Sequence, residues 1–222
     1  MNEWNRTWDR KAGEGDMLSR AGRSRSGTAG LKASIDWVLA SLDVSADDEV
    51  LDIGSGPGLI SNELASYSKS VVALDRSHAM VKAGRIFHGK GAEFCWVVGD
   101  AHQLPFADRQ FSRVLGYGVH QFMPSLRAFS ESVSEIRRVL RPGGIAVLGA
   151  NPDLELQENL IAKLQEENSS TDEMLRSLSD TLWMSRNTFV EICSENGLVA
   201  ETFDIDRPAW YASYMFDAIL RG

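Results

Sequence analysis

The sequence has two cysteines in 222 residues, Cys95 and Cys193, each inside an apolar stretch and neither in a CxxC pair or a ligand-spaced cluster. That count and spacing exclude a disulfide framework and a thiolate metal site, and a reducing, cytoplasmic setting is expected. Long apolar runs are also missing. None approaches the roughly 18 to 20 residues of a membrane-spanning helix, and the charged amino-terminal stretch lacks an apolar core of signal length, so no membrane partner is expected. Cations are outnumbered, with 23 Lys and Arg against 31 Asp and Glu and a formal net charge of -8. The resulting field opposes a phosphate backbone, so nucleic acid is not expected as a partner. No Asp, Asn and His cluster is spaced as a metal site, so no metal is expected and magnesium-assisted hydroxyl chemistry has no support.

What is present is a core: 43% of residues are hydrophobic, enough at this length for one α/β domain. Residues 50–53, 71–74, 94–98, 114–117 and 145–148 are short apolar runs rich in β-branched residues, most of them separated by helix-length segments. Fully apolar strands alternating with helices predict a parallel sheet covered on both faces. Residues 125–141 read as the clearest helix, with a buried stripe of Leu126, Phe129, Val133, Ile136, Val139 and Leu140, stopped by Pro142-Gly143-Gly144. Residues 186–196 predict a further helix, followed by last strands near 198–205 and 210–220. Residues 1–30, with Trp4 and Trp8 among arginines and a Gly/Ser-rich stretch, read as a mobile arm or lid ahead of a domain spanning 31–222. Within that domain, residues 151–185 read as a helical cap inserted over the sheet edge, rich in acidic residues.

The chemistry is carried by four ordered motifs. Residues 50–58 run from a strand through Asp52 into the turn Gly54-Ser55-Gly56-Pro57-Gly58 and directly into a helix. Glycines let a ligand lie against bare backbone, and the helix start presents unpaired N–H groups. A dinucleotide-binding turn would read GxGxxG, whereas position 59 is Leu and the third glycine, Gly58, comes one residue early. Asp52 repels a pyrophosphate and suits an ammonium group, which points to an amino acid nucleoside. The second motif is the strand ending in Asp75, placed to accept from two ribose hydroxyls. The third ends in Gly99-Asp100-Ala101, where the carboxylate suits an exocyclic amine such as that of adenine. The fourth is the tight turn at residues 140–144 before the fifth strand.

In this order and at these intervals the residues resemble the class I S-adenosylmethionine-dependent methyltransferases, especially the small-molecule branch that includes quinone and sugar methyltransferases, over residues 35–150. The resemblance implies a Rossmann-like, seven-stranded, mostly parallel sheet of order 3-2-1-4-5-7-6 with helices on both faces and an antiparallel last strand. It implies S-adenosylmethionine as cofactor, with Gly54, Gly56 and Gly58 along its methionine part, Asp52 near its amino group, Asp75 on the ribose with Arg76 and Ser77 beside it, Asp100 and Ala101 around the adenine, and Tyr117 closing the methionine side. The acceptor is then a small molecule.

A sulfonium methyl is already activated, so the protein has mainly to hold an acceptor in line behind it. Where the acceptor is a hydroxyl a base helps, and His120, just past the fourth strand, is the histidine expected to act as one. O-methylation is favoured over N- or C-methylation. Two other functions remain open at this point: a non-catalytic module that binds the same cofactor, and a nicotinamide-dependent oxidoreductase, which Leu59 and the Asp52 charge disfavour.

Overall fold

The computed structural model describes residues 3–88, 94–168, 172, 176 and 178–222, with the backbone alone for residues 3–5. Its centre is a seven-stranded sheet: β1 (Glu49–Ile53), β2 (Ser70–Asp75), β3 (Phe94–Val98), β4 (Phe111–Tyr117), β5 (Leu140–Pro152), β6 (Val199–Asp204) and β7 (Met215–Arg221). Their order is β3-β2-β1-β4-β5-β7-β6. Strands β1 to β5 run parallel, while β7 pairs antiparallel with both β5 and β6. This is the architecture the sequence implied.

Alternation along each strand sends successive side chains to opposite faces. Leu51 and Ile53 of β1 and Val114 of β4 join one buried cluster, which contains Phe129, Val133 and Ile136 of helix α6 (Leu126–Val139) and Phe189 of helix α8 (Arg186–Glu195). Val50 and Leu115 join the cluster on the other face, with Val38 and Leu42 of α3 (Gly27–Leu42) and Leu64 of α4 (Leu59–Leu64). Helix α5 (His78–His88) packs against β2 and β3. Trp96 lies against its Gly84 and against Gly58 at the start of α4, where a Cβ would come within 2.0 and 2.4 Å of the indole. Both glycines make room for that ring.

Three segments differ from the sequence reading. The stretch read as a mobile arm holds helices α1 (Glu3–Lys11) and α2 (Met17–Arg20) and the start of α3. Helix α6 ends at Val139, two residues before the expected stop, because Leu140 is extended and pairs with Phe111; the restriction that Pro142 places on Arg141 favours extended chain there. Strand β7 starts at Met215, and residues 210–214 form turns, with Trp210 edge-on to Tyr214.

The inserted segment begins later than expected, since Asn151 and Pro152 still belong to β5. Asp153 and Met184 form a parallel bridge, so the chain leaves and returns at one place. Between them α7 (Gln157–Glu166) buries Leu160 and Leu164 in the cluster of Val38 and Val147, on a face of the sheet rather than over its edge. Residues 169–171, 173–175 and 177 of the expected cap lie outside the described residues, as does the side chain of Trp4. Among the described residues no helix is long and apolar enough to cross a membrane.

Candidate functional site

In a parallel sheet the loops at the strands' carboxyl ends flank a crevice where the topology reverses, here between β1 and β4. A cavity opens there. Asp52, Gly54, Ser55 and Gly56 line it from β1 and its turn, Asp75, Arg76 and Ser77 from β2, Asp100, Ala101 and His102 from the loop after β3, and Tyr117 and Gly118 from β4.

The glycine turn is built for exposure of its backbone. Gly54, Gly56 and Gly58 all have positive φ, a region that favours glycine, and nothing stands within 4 Å of a Cβ placed on Gly56. The turn is fastened to β2: Asp75 Oδ2 accepts from the Gly56 N–H at 2.8 Å, and Oδ1 accepts from the Ser77 N–H at 2.8 Å. Burial raises the Asp75 pKa, and those two N–H groups work against the rise.

Asp52 is 3% exposed, and one of its oxygens accepts from the Ser61 hydroxyl at 2.5 Å. Burial pushes its carboxyl up to about 7, with the Asp75 charge adding to the rise. Asp100 faces the other end of the cavity; its Oδ1 accepts from the His102 N–H at 3.1 Å and lies 2.7 Å from His102 Nδ1, and Arg76 Nε lies 3.5 Å from Oδ2. Among the described residues, Ser55 Oγ and His102 Nε2 at the cavity are buried without a hydrogen-bond partner. Buried orphans of this kind call for an outside partner.

Of the residues expected at the site, Asp52, Gly54, Gly56, Asp75, Arg76, Asp100, Ala101 and Tyr117 line the cavity, and Gly58 and His120 do not. Gly58 caps α4 in the left-handed conformation and packs on Trp96. His120, the expected base, lies away from this lining. It is 2% exposed and edge-on to Phe129 at 5.5 Å, on the α6 face of the sheet, where a Cβ on Gly116 would meet its ring at 2.5 Å. Asp52 and Tyr117 belong to the opposite face, because Asp52 pairs with Leu115 in the β1–β4 register. Burial pushes the His120 pKa down to about 3, with the His102 charge a smaller cause.

Sequence reasoning missed several lining residues: Arg20 and Arg23 before α3, Met80, His102 and Met123. None is marked by periodicity or motif; each reaches the cavity because a loop or helix start crosses a strand end. Trp8 also lines the cavity and stands edge-on to Phe122 at 5.2 Å, while Asp9 accepts from the Ser77 hydroxyl at 2.5 Å. Among the described residues no group of three His, Cys, Asp or Glu side chains is placed to hold a metal ion.

The chain is similar in sequence and fold to methyltransferases. Residues 51–148 match the family described as methyltransferase domains. The chain is 33% identical over 148 residues to the biotin biosynthesis bifunctional protein BioHC of Cellvibrio japonicus, covering 63% of this chain and 28% of that protein. It is 36% identical over 104 residues to the demethylmenaquinone methyltransferase of Corynebacterium glutamicum, covering 46% of this chain and 41% of that protein. The chain therefore spans less than half the length of these curated relatives. Among solved structures, the N-methyltransferase NodS of Bradyrhizobium japonicum in complex with S-adenosylhomocysteine superposes with a TM-score of 0.73 at 16% identity, covering 100% of this chain and 99% of that one. Phosphoethanolamine N-methyltransferase 1 of Haemonchus contortus, solved with phosphoethanolamine and S-adenosylhomocysteine, gives a TM-score of 0.76 at 16% identity, covering 98% of this chain and 48% of that one. At such identities the likeness is one of fold.

Proposed function

We propose that this chain, whose residues 51–148 match the methyltransferase-domain family, is a class I S-adenosylmethionine-dependent methyltransferase that transfers the methyl group of that cofactor to a small-molecule acceptor, with oxygen favoured as the acceptor atom. The observation that carries the reading is the row of three carboxylates, Asp52, Asp75 and Asp100, set around one cavity at the ends of neighbouring strands.

The residues present fit the cofactor. An ionised carboxylate offers about four acceptor positions. Asp75 uses two on Gly56 and Ser77, which leaves two for a pair of ribose hydroxyls. Asp52 has one oxygen bound to Ser61 and the other available to an ammonium group. Asp100 stands where an exocyclic amine can donate, and the orphaned Ser55 Oγ and His102 Nε2 supply polar atoms on the wall. When bound, the cofactor supplies an activated methyl group on a sulfonium. The chain's own part is to orient and to exclude water. Tyr117, Gly118 and Val119 close the β4 end, and Trp8, Phe122, Met123 and Pro124 give it an apolar wall. Such positioning is the main demand of an in-line displacement.

Calorimetric titration with S-adenosylhomocysteine tests the reading. Binding with a micromolar Kd, about -8 kcal/mol, is expected. No heat and no stabilisation at millimolar ligand would overturn it.

A further inference from the structure

Part of the cavity wall comes from the amino-terminal segment: Trp8 on α1, Arg20 at the end of α2, and Ala21 and Arg23 just after it. This part is not built like the rest. Of residues 6–26 only Ala12 is buried, whereas α3 buries Val38 and Leu42 in the cluster of Val50 and Leu115. Stabilisation by burial scales with the apolar area removed from water, so α1 and α2 are held by a few discrete contacts and lie at the low end of local stability. The Ser77 hydroxyl donates to Asp9 Oδ1 at 2.5 Å, Trp8 stands edge-on to Phe122 at 5.2 Å, and the Arg20 guanidinium lies 5.0 Å from the centre of the exposed Phe87 ring. The segment thus reaches from the loop after β2 to the loop after β4.

Gly22 marks where the loosely held segment ends. Its φ of +66° turns the chain out of α2, and a Cβ there would stand 3.1 Å from the Trp8 ring, so the indole lies against the turn. From Arg23 onward the chain is fixed. Arg23 donates to the Tyr211 hydroxyl at 3.1 Å and Ser26 Oγ accepts from the Trp210 N–H at 3.1 Å. Gly30 lies so near Pro208 that a Cβ would come within 2.4 Å of its carbonyl oxygen.

We propose that α1 and α2 form a lid over the cofactor, hinged at Gly22 and latched by Asp9 on Ser77, that swings away for the cofactor to enter and leave. The inference rests on the methyl-transfer reading above, which gives the ribose to Asp75. Ser77 joins latch and ribose site: its N–H donates to Asp75 Oδ1 at 2.8 Å while its hydroxyl donates to Asp9. Asp9 and Asp75 are like charges around that residue, and Asp9 adds to the rise in the Asp75 pKa. Ribose hydroxyls donating to Asp75 offset the repulsion, and the cofactor meets Trp8 only when the lid is down, so the ligand favours the closed state over the open one. A closed lid keeps water from the sulfonium, and its opening releases the product.

Hydrogen exchange of the full chain, followed by mass spectrometry with and without saturating S-adenosylhomocysteine, tests the lid. Peptides within residues 6–21 are expected to exchange roughly tenfold or more slowly with the ligand, because a segment that has to open for release is held shut by what it covers. Asp9→Ala removes the latch at an exposed position and leaves the core intact. In the free variant, exchange over residues 6–21 is expected to quicken while that of α3 stays within about threefold of the wild type, and stopped-flow displacement should show S-adenosylhomocysteine leaving roughly tenfold faster. The proposal is overturned if the ligand leaves the exchange of residues 6–21 unchanged, or if Asp9→Ala keeps either that exchange or the release rate at the wild-type value. Failure of S-adenosylhomocysteine to bind the wild type defeats the methyl-transfer reading itself, a result distinct from these.

Discussion

The Gly56 N–H donates to Asp75 Oδ2 at 2.8 Å, joining the glycine turn after β1 to the carboxylate that ends β2. One hydrogen bond thus sets the relative position of the two groups proposed to hold the methionine and ribose parts of the cofactor.

Replacing Asp75 by Asn turns one of its two acceptor oxygens into a donor, which breaks either that tie or the Ser77 contact and weakens the proposed ribose contact. Hydrogen bonds to charged groups contribute about 1.5 to 3 kcal/mol, so Asp75→Asn is expected to weaken S-adenosylhomocysteine roughly 10- to 150-fold. Calorimetric titration of the variant beside the wild type checks this, and an unchanged Kd would remove Asp75 from the site.

Asp52 makes binding depend on pH. Its carboxyl is pushed up to about 7 by burial. An arriving ammonium group favours the ionised form, so binding near neutrality releases protons and affinity falls as pH drops below about 7. Titrations at pH 5.5, 6.5 and 7.5 should show the trend, and Asp52→Asn should flatten it. A wild-type affinity independent of pH over this range contradicts the assignment.

His120 and Asp52 pull the stability of the ligand-free protein in opposite directions. The folded-state pKa of His120 is lowered from 6.5 to about 3, so the unfolded chain binds the proton first. Its contribution is fully present above 6.5 and is lost as pH falls towards 3. The folded-state pKa of Asp52 is raised from 3.8 to about 7, so its contribution is present below 3.8 and is lost as pH rises through 7. Thermal melts between pH 4 and 6.5 should therefore lose part of their upward slope in His120→Gln, while that variant still binds S-adenosylhomocysteine. Loss of ligand binding with an intact fold would return His120 to the site.

Gly58 is predicted to matter for the fold and not for direct contact. Its φ is +82°, and an added Cβ would meet the Trp96 ring at 2.4 Å. Strained backbone and overpacking together place Gly58→Ala at about 2 to 4 kcal/mol of lost stability, roughly 5 to 15 °C in Tm for a chain of this size. Scanning calorimetry decides it. A Tm within a degree of wild type would mean that the indole has room to move.

Much of this was legible in the sequence where one local rule fixes the outcome. The apolar runs around Val50, Val71 and Val114 could only be buried strands, and the carboxylates at their ends had to face the crevice. Legibility stopped where the outcome depends on which face a chain takes after a turn. His120 follows Gly118, whose φ of +71° redirects the chain, and Gly116 leaves the space in which the imidazole folds back under β4. Arg23 sits in a Gly/Ser-rich stretch without periodicity, and its position comes from Tyr117 and Tyr211, about 90 and 190 residues further on. Trp210 and Tyr211 read as strand by propensity, yet the Trp210 indole donates to Glu167 just past α7, the Trp210 N–H donates to Ser26 and the Tyr211 hydroxyl accepts from Arg23, and the strand begins only at Met215.

The central claim is that this cavity takes S-adenosylmethionine, and a thermal-shift titration with S-adenosylhomocysteine run beside NAD tests it most directly. Ligand at 100 times its Kd stabilises by about 2.7 kcal/mol, which at this size raises Tm by roughly 5 to 10 °C. A saturable rise of that order with S-adenosylhomocysteine and none with NAD is the predicted result; stabilisation by NAD and none by S-adenosylhomocysteine would contradict it.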